Sequence, residues 1–301
     1  MEQIETVLIP TDGSDGALAG ARWAVALAER LEASLHVLSV VDTGDSAVIE
    51  SIREPSHVLD ALETEAHDAI AAVETVLKES TANLPVTTAV RRGSPHETIS
   101  SYATQQAVDV IVMGTTGRSG LDRLLLGSTT ERVLRTTARP LLAVPPEAGE
   151  PAFDRLLLPT DGSEAADRAV DWGVWLAGEL DAMVYALYAV DTGRFPAATP
   201  PSELLDQLDA EGQTALESVR TRTKAAAVRS AGAVTSGRPA NAILAAIEQQ
   251  DVDLVSMGTR GRHGVSQRLL GSVTEHVVRG APVAVFCVPQ TVDAGEESHR
   301  D

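Results

Sequence analysis

Two segments of the chain carry glycine at the spacing of an anion-holding loop. The first reads GTTGRSGLDRLLLGST over residues 114–129, and the second GTRGRHGVSQRLLGSV over 258–273. Both follow the pattern Gly, two residues, Gly, nine residues, Gly-Ser, and both come directly after an apolar run. In the first copy, Gly114 and Gly117 are read as positions that permit positive φ and let backbone N–H groups approach an anion closely. Gly127-Ser128 stands at the start of a helix that Ser128 is expected to cap, with Thr129 beside it. The exposed N–H groups and the helix dipole there favour phosphate. Gly258, Gly261, Gly271, Ser272 and Val273 repeat the arrangement. Local charge agrees with it: the first loop holds Arg118 and Arg123 against one acid, Asp122, and the second holds Arg260, Arg262 and Arg268 with no acid. The competing reading makes the glycines plain turns and the serine a plain cap. The duplication and the local cations favour an anion.

A second pair of residues belongs with these loops. ETVLIPTDGS (5–14) is repeated as DRLLLPTDGS (154–163), which places Asp12 and Asp161 just past the first strand of each half. In an open parallel sheet, ligands bind at the carboxyl ends of strands where the strand order reverses. If the first and fourth strands are neighbours, Asp and loop face one crevice. Each Asp then accepts a hydrogen bond from a ribose hydroxyl or sits near a metal; equally, it only turns the chain and caps the next helix. Asp42 and Asp191, at the end of the second strand, are read as capping residues.

The elements that must position these groups alternate strand and helix. In the first half, VLIP, SLHVLSVV, PVTTAV, VDVIVMG and PLLAV are predicted strands. The predicted helices cover 15–31, 57–81, 95–106 and 128–136. Apolar strands without polar alternation imply burial on both faces, and the alternation implies right-handed parallel crossover units. The repeat runs through SLHVLSVVDTG and MVYALYAVDTG, and through ARPLLAVP and APVAVFCVP. The expected domains are therefore 1–146 and 152–290, joined through PPEAGEP and followed by a polar tail over 291–301. Residues 44–56 and 193–203 differ most between the copies and are read as loops that either cover a site or simply link elements.

Composition narrows the function. The net charge of −19 argues against general binding of nucleic acid or anionic membrane. Lysine occurs only at 78 and 224, which suits a high-salt cytoplasm or an ordinary acidic protein. The single cysteine, Cys287, lies in an apolar run and is read as a buried hydrophobe. No run approaches the length of a membrane span and no basic-apolar leader opens the chain, so a cytoplasmic location is expected. The histidines form no metal pattern; His263 lies within the second loop and has no counterpart in the first. No Ser-His-Asp order recurs, and neither a Walker lysine nor the Gly-x-Gly-x-x-Gly spacing is present.

The paired signature, PTDGS after the first strand and the glycine loop after the fourth, resembles the universal stress protein family, as two tandem copies over nearly the whole chain. The resemblance implies an α/β fold of two open parallel five-stranded sheets, each in the order 3-2-1-4-5 with helices on both faces. It implies ATP as the bound cofactor, with or without Mg. Asp12 and Asp161 would sit by the nucleoside. The backbone at Val40 and Ala189 would meet adenine. Gly114, Gly117, Arg118, Gly127, Ser128 and Thr129 would hold ribose and phosphates, as would Gly258, Gly261, Arg262, Gly271, Ser272 and Val273. It also implies pairing through last strands, here as a pseudo-dimer of the two halves with room for a further homodimer. The expectation is a nucleotide-dependent stress-response or regulatory module without a dedicated catalytic set. The alternatives are a nucleotidyl- or phosphoryl-transfer enzyme or slow ATPase on the same fold, and an interaction scaffold without a ligand.

Overall fold

A computed structural model describes residues 3–43, 55–80, 82–117, 126–192, 202–261 and 270–290. The first half runs β1 (Thr6–Pro10), α1 (Asp15–Leu31), β2 (Ser34–Asp42), α2 (Pro55–Glu79), β3 (Val86–Gly93), α3 (Pro95–Gln105), β4 (Val110–Gly114), α4 (Ser128–Thr136) and β5 (Leu141–Val144). The second half repeats it as β6 (Arg155–Thr160), α5 (Glu164–Glu179), β7 (Met183–Asp191), α6 (Ser202–Ala225), β8 (Ser230–Gly237), α7 (Pro239–Gln249), β9 (Leu254–Gly258), α8 (Ser272–Gly280) and β10 (Ala284–Val288).

The strand order is β3-β2-β1-β4-β5 in one half and β10-β9-β6-β7-β8 in the other. Every pair within a half is parallel. β5 and β10 then pair antiparallel, with Val285 opposite Ala143 and Cys287 opposite Leu141. The two five-stranded sheets are thereby continuous, as one ten-stranded sheet. β4, β5 and β10 consist of Val, Ile, Leu, Ala, Phe, Met and Cys, apart from the terminal Gly114, and are buried nearly throughout, because helices cover both sides of them. The outermost strands β3 and β8 carry Thr, Arg and Ser and are largely exposed. Two apolar cores result. One contains Trp23, Val73, Trp172 and Phe286. The other, on the opposite face, contains Ile99, Val133, Ile247 and Val277.

A repeated aspartate fixes the neighbours that matter most. Asp109 Oδ2 accepts hydrogen bonds from the N–H groups of Glu5 and Thr6, both at 2.9 Å, and so ties the start of β1 to β4. Asp253 does the same for Asp154 and Arg155, also at 2.9 Å. Past these clamps β1 and β4 pair only at Val7–Val110 and Leu8–Ile111, whereas β1 and β2 pair along all of β1. β6 and β9 repeat this short pairing. Each half therefore opens a crevice at the carboxyl ends of its two central strands.

The connection between halves is anchored. It contains a 3-10 turn, Pro146–Ala148. Trp23 Nε1 donates to Gly149 O at 3.3 Å, and the Phe153 ring meets Trp23 edge-on at 5.3 Å. Among the described residues, no helix is long and apolar enough to cross a membrane.

Candidate functional site

The TDGS segment forms the first wall of each crevice. Gly13 and Gly162 take φ of +77° and +72°, which only glycine adopts cheaply, and this turns the chain from strand into helix. Ser14 is the N-cap of α1 and accepts from Ala17 N–H at 3.3 Å. Asp12 Oδ1 accepts from the Ser14 N–H at 3.0 Å and from the Ser14 hydroxyl at 2.5 Å. Asp161 holds Ser163 at the same distances, and Ser163 caps α5. The aspartates are thus not the caps. They orient the serine that is, using one carboxylate oxygen. The other oxygen is turned toward the glycine loop: a Cβ on Gly117 would lie 3.3 Å from Asp12 Oδ2, and one on Gly261 only 2.8 Å from Asp161 Oδ2.

The loop forms the second wall. Its base is closed by backbone hydrogen bonds, Gly127 N–H to Thr115 O at 2.7 Å and Gly271 N–H to Thr259 O at 2.8 Å. Thr130 and Thr274, both buried, donate their hydroxyls to Gly114 O and Gly258 O at 2.8 Å. These bonds bring the start of α4 and α8 back against the end of β4 and β9. The two threonines play no part in the sequence reading, although GSTT and GSVT repeat them.

Two details of that reading are corrected. None of Gly114, Gly117, Gly258 and Gly261 lies in the left-handed φ region. Gly114 is required by packing instead: a Cβ there would stand 2.1 Å from Gly16 O, because the first turn of α1 rests directly on the loop. Ser128 and Ser272 do not cap their helices either. The N-caps are Gly127 and Gly271, and neither helix has a side-chain cap hydrogen bond. The first-turn N–H groups of α4 and α8 are therefore not taken by a capping side chain.

In the second half these walls enclose a cavity of about 630 Å³, within the usual range for small-molecule sites. Asp161, Ala189, Gly258, Gly261, Gly271, Ser272 and Val273 all line it. Leu187, Tyr188, Ile243, Met257 and Leu270 supply apolar lining. Arg260, counted at first only in the charge of the loop, lines the cavity where the first half has Thr116. Arg135 also lines it, although it belongs to α4 of the first half. In the first half, Asp12, Gly117 and Gly127 are adjacent, since a Cβ on Gly127 would lie 3.7 Å from Gly117 N. Val40 stands on β2 at the place Ala189 holds on β7. Arg118 and Arg262 lie outside the described residues, as do most of the two divergent loop segments.

Ionisation elsewhere is set by burial. It pushes the Cys287 thiol up to about 12 and raises the Tyr102 hydroxyl, which Arg91 partly opposes. Among the described residues, no three His, Cys, Asp or Glu side chains come together as a metal-ligating group.

Comparison with known proteins agrees with the duplication. A protein of Mycolicibacterium smegmatis described as a universal stress protein is 27% identical over 299 residues, covering 94% of this chain and 96% of its own. A universal stress protein of Methanocaldococcus jannaschii is 36% identical over 143 residues, which is 46% of this chain and 84% of that protein. The crystal structure of a universal stress protein from Archaeoglobus fulgidus shares the fold, with a TM-score of 0.72 at 23% identity over 96% of this chain and all of that one. The sequence model of the universal stress protein family matches residues 3–145 and again 152–289, so the chain belongs to that family as a tandem of two family domains.

Proposed function

We propose that the chain is a tandem ATP-binding module that acts in a stress response or its regulation, and that it is not an enzyme. One observation carries the reading. In the second half, the N-terminus of α8, without a side-chain cap, opens into the same cavity as Asp161, Gly261 and Arg260, which also has apolar lining from Leu187, Ile243 and Met257. An uncapped helix start with a nearby cation suits phosphate. A carboxylate oxygen turned into the cleft suits a ribose hydroxyl, and Leu187, Ile243 and Met257 suit the faces of an adenine ring. Main-chain groups at Ala189, and at Val40 in the first half, would meet its edge. ATP is proposed with or without Mg, and Arg118 and Arg262 as further phosphate ligands.

A holding role follows from the chemistry of the lining. Among the described residues, the lining carries Asp161, Asp191, Glu275, Arg135 and Arg260 but no nucleophile paired with a base. The surrounding charge of −19 makes nucleic acid an unfavourable partner. A cytoplasmic location and a further homodimer belong to the same proposal. Since β5 and β10 are already paired, a second copy would have to use another surface.

The test is direct. Purified protein is denatured and the released small molecules are separated by chromatography; adenine nucleotide near two per chain is the expected result. Where none is released, calorimetric titration with Mg-ATP is expected to show binding, and no heat at millimolar ATP would defeat the reading. Steady turnover at enzyme-like rates would favour phosphoryl transfer on the same fold instead.

A further inference from the structure

Arg135 lies in the last turn of α4, in the first half, yet it forms part of the cavity wall of the second half beside Ser272, Thr274 and Glu275. It sits there as a member of a ring of four charges that spans the seam. Its Nη2 is 2.7 Å from Glu131 Oε1 and 3.7 Å from Glu275 Oε2. Arg279 closes the ring at 2.9 Å from Glu275 and 3.3 Å from Glu131. The hydrogen bonding of Arg135 among the described residues runs through Nη2. A guanidinium carries five N–H donors in a planar fork that matches phosphate geometry.

Glu275 poses a difficulty that Arg135 resolves. It stands in the first turn of α8, at the helix end that would take phosphate, and it lines the cavity. A carboxylate there repels an anion unless a cation accompanies it. We propose that Arg135 is a phosphate ligand of the second-half site, supplied across the seam by the first half. It engages the outer phosphates of a triphosphate that runs over the start of α8. A monophosphate is too short to reach it. Arg135 is then the residue that distinguishes ATP from AMP in this cavity.

This inference rests on the nucleotide reading, and the experiment separates the two. The full chain, with the first site closed by Gly117→Val, is titrated with ATP and with AMP, with and without Arg135→Gln. ATP affinity is expected to fall about tenfold or more, as for a lost charge-assisted bond, and AMP affinity to stay unchanged. Glu131→Gln releases Arg135 from its nearest partner and is expected to tighten ATP. Equal effects of Arg135→Gln on ATP and AMP, no effect on either, or weaker ATP binding with Glu131→Gln would overturn the inference and leave the ring a purely structural device. Failure of the chain carrying Gly117→Val alone to bind either nucleotide would overturn the nucleotide reading for this cavity, and the inference with it.

Discussion

Asp161→Asn separates the two roles open to the aspartate after the first strand. The carboxylate uses Oδ1 to hold Ser163, at 3.0 Å to its N–H and 2.5 Å to its hydroxyl, while Oδ2 faces Gly261. Asparagine placed with its carbonyl oxygen at Oδ1 keeps the serine and hence the cap of α5. Only the second oxygen changes, from a charged acceptor to an NH2 donor. If that oxygen binds a ribose hydroxyl, the loss is that of a hydrogen bond to a charged group, about 1.5–3 kcal/mol, or about 10- to 150-fold in affinity. Stability should fall less than in the alanine variant. Asp161→Ala should lose the same affinity and also loosen Ser163, the cap of α5, at a cost below the ~1 kcal/mol of losing a cap outright. Calorimetric titration with ATP gives the first quantity and thermal unfolding the second. Unchanged ATP affinity in the Asn variant would refute the reasoning and reduce Asp161 to a turn former. The same pair at Asp12 reports on the first site alone.

The motif glycines after the fourth strands should differ in cost. Gly114→Ala would drive a Cβ to 2.1 Å from Gly16 O, whereas at Gly258 the nearest atom is Ala165 O at 3.0 Å. Overpacking then costs about 3 kcal/mol at the first and roughly 1 kcal/mol at the second, a contrast that denaturant unfolding of the two variants measures and that equal losses would contradict. Cys287 is fully buried and its thiol is raised from 9.0 to about 12, so the native state favours the neutral form. Its contribution is complete below pH 9.0 and is lost as pH rises toward about 12, because the unfolded chain ionises first. Cys287→Ala should therefore flatten the alkaline limb of the stability curve, and in the parent chain a thiol reagent should label only as fast as the protein opens.

Much of the fold follows from patterns that repeat. The helix limits at Asp15, Pro95 and Ser128 coincide with the expected ones because a capping serine, a proline or a glycine-serine pair stands at each start. The strand order came from the family resemblance, and the structure supplies its cause in Asp109 and Asp253. Both are visible in the sequence as the repeated Val-Asp pair, but only tertiary neighbours show what they hold. The need for glycine at 114 was legible in the motif, but not its packing cause, since close approach of α1 is a contact between segments about a hundred residues apart. Arg135 was out of reach altogether. Its place in the second cavity depends on the antiparallel register of β5 against β10, which no spacing within either half encodes.

That seam has a consequence for how the two sites can change. Two identical subunits meeting on a twofold axis must carry every substitution twice, once on each side. When the like halves are one polypeptide, tied by a connection pinned at Trp23, a substitution falls on one side only. The departures are already present: Arg260 against Thr116 in the loops, and Ala165 against Gly16 in the helix that rests on them. Tethering also replaces a dilution-sensitive encounter with an intramolecular one. A drifting half can lose affinity for its mate without floating away from it, so one cavity is free to acquire new preferences while the other keeps the old.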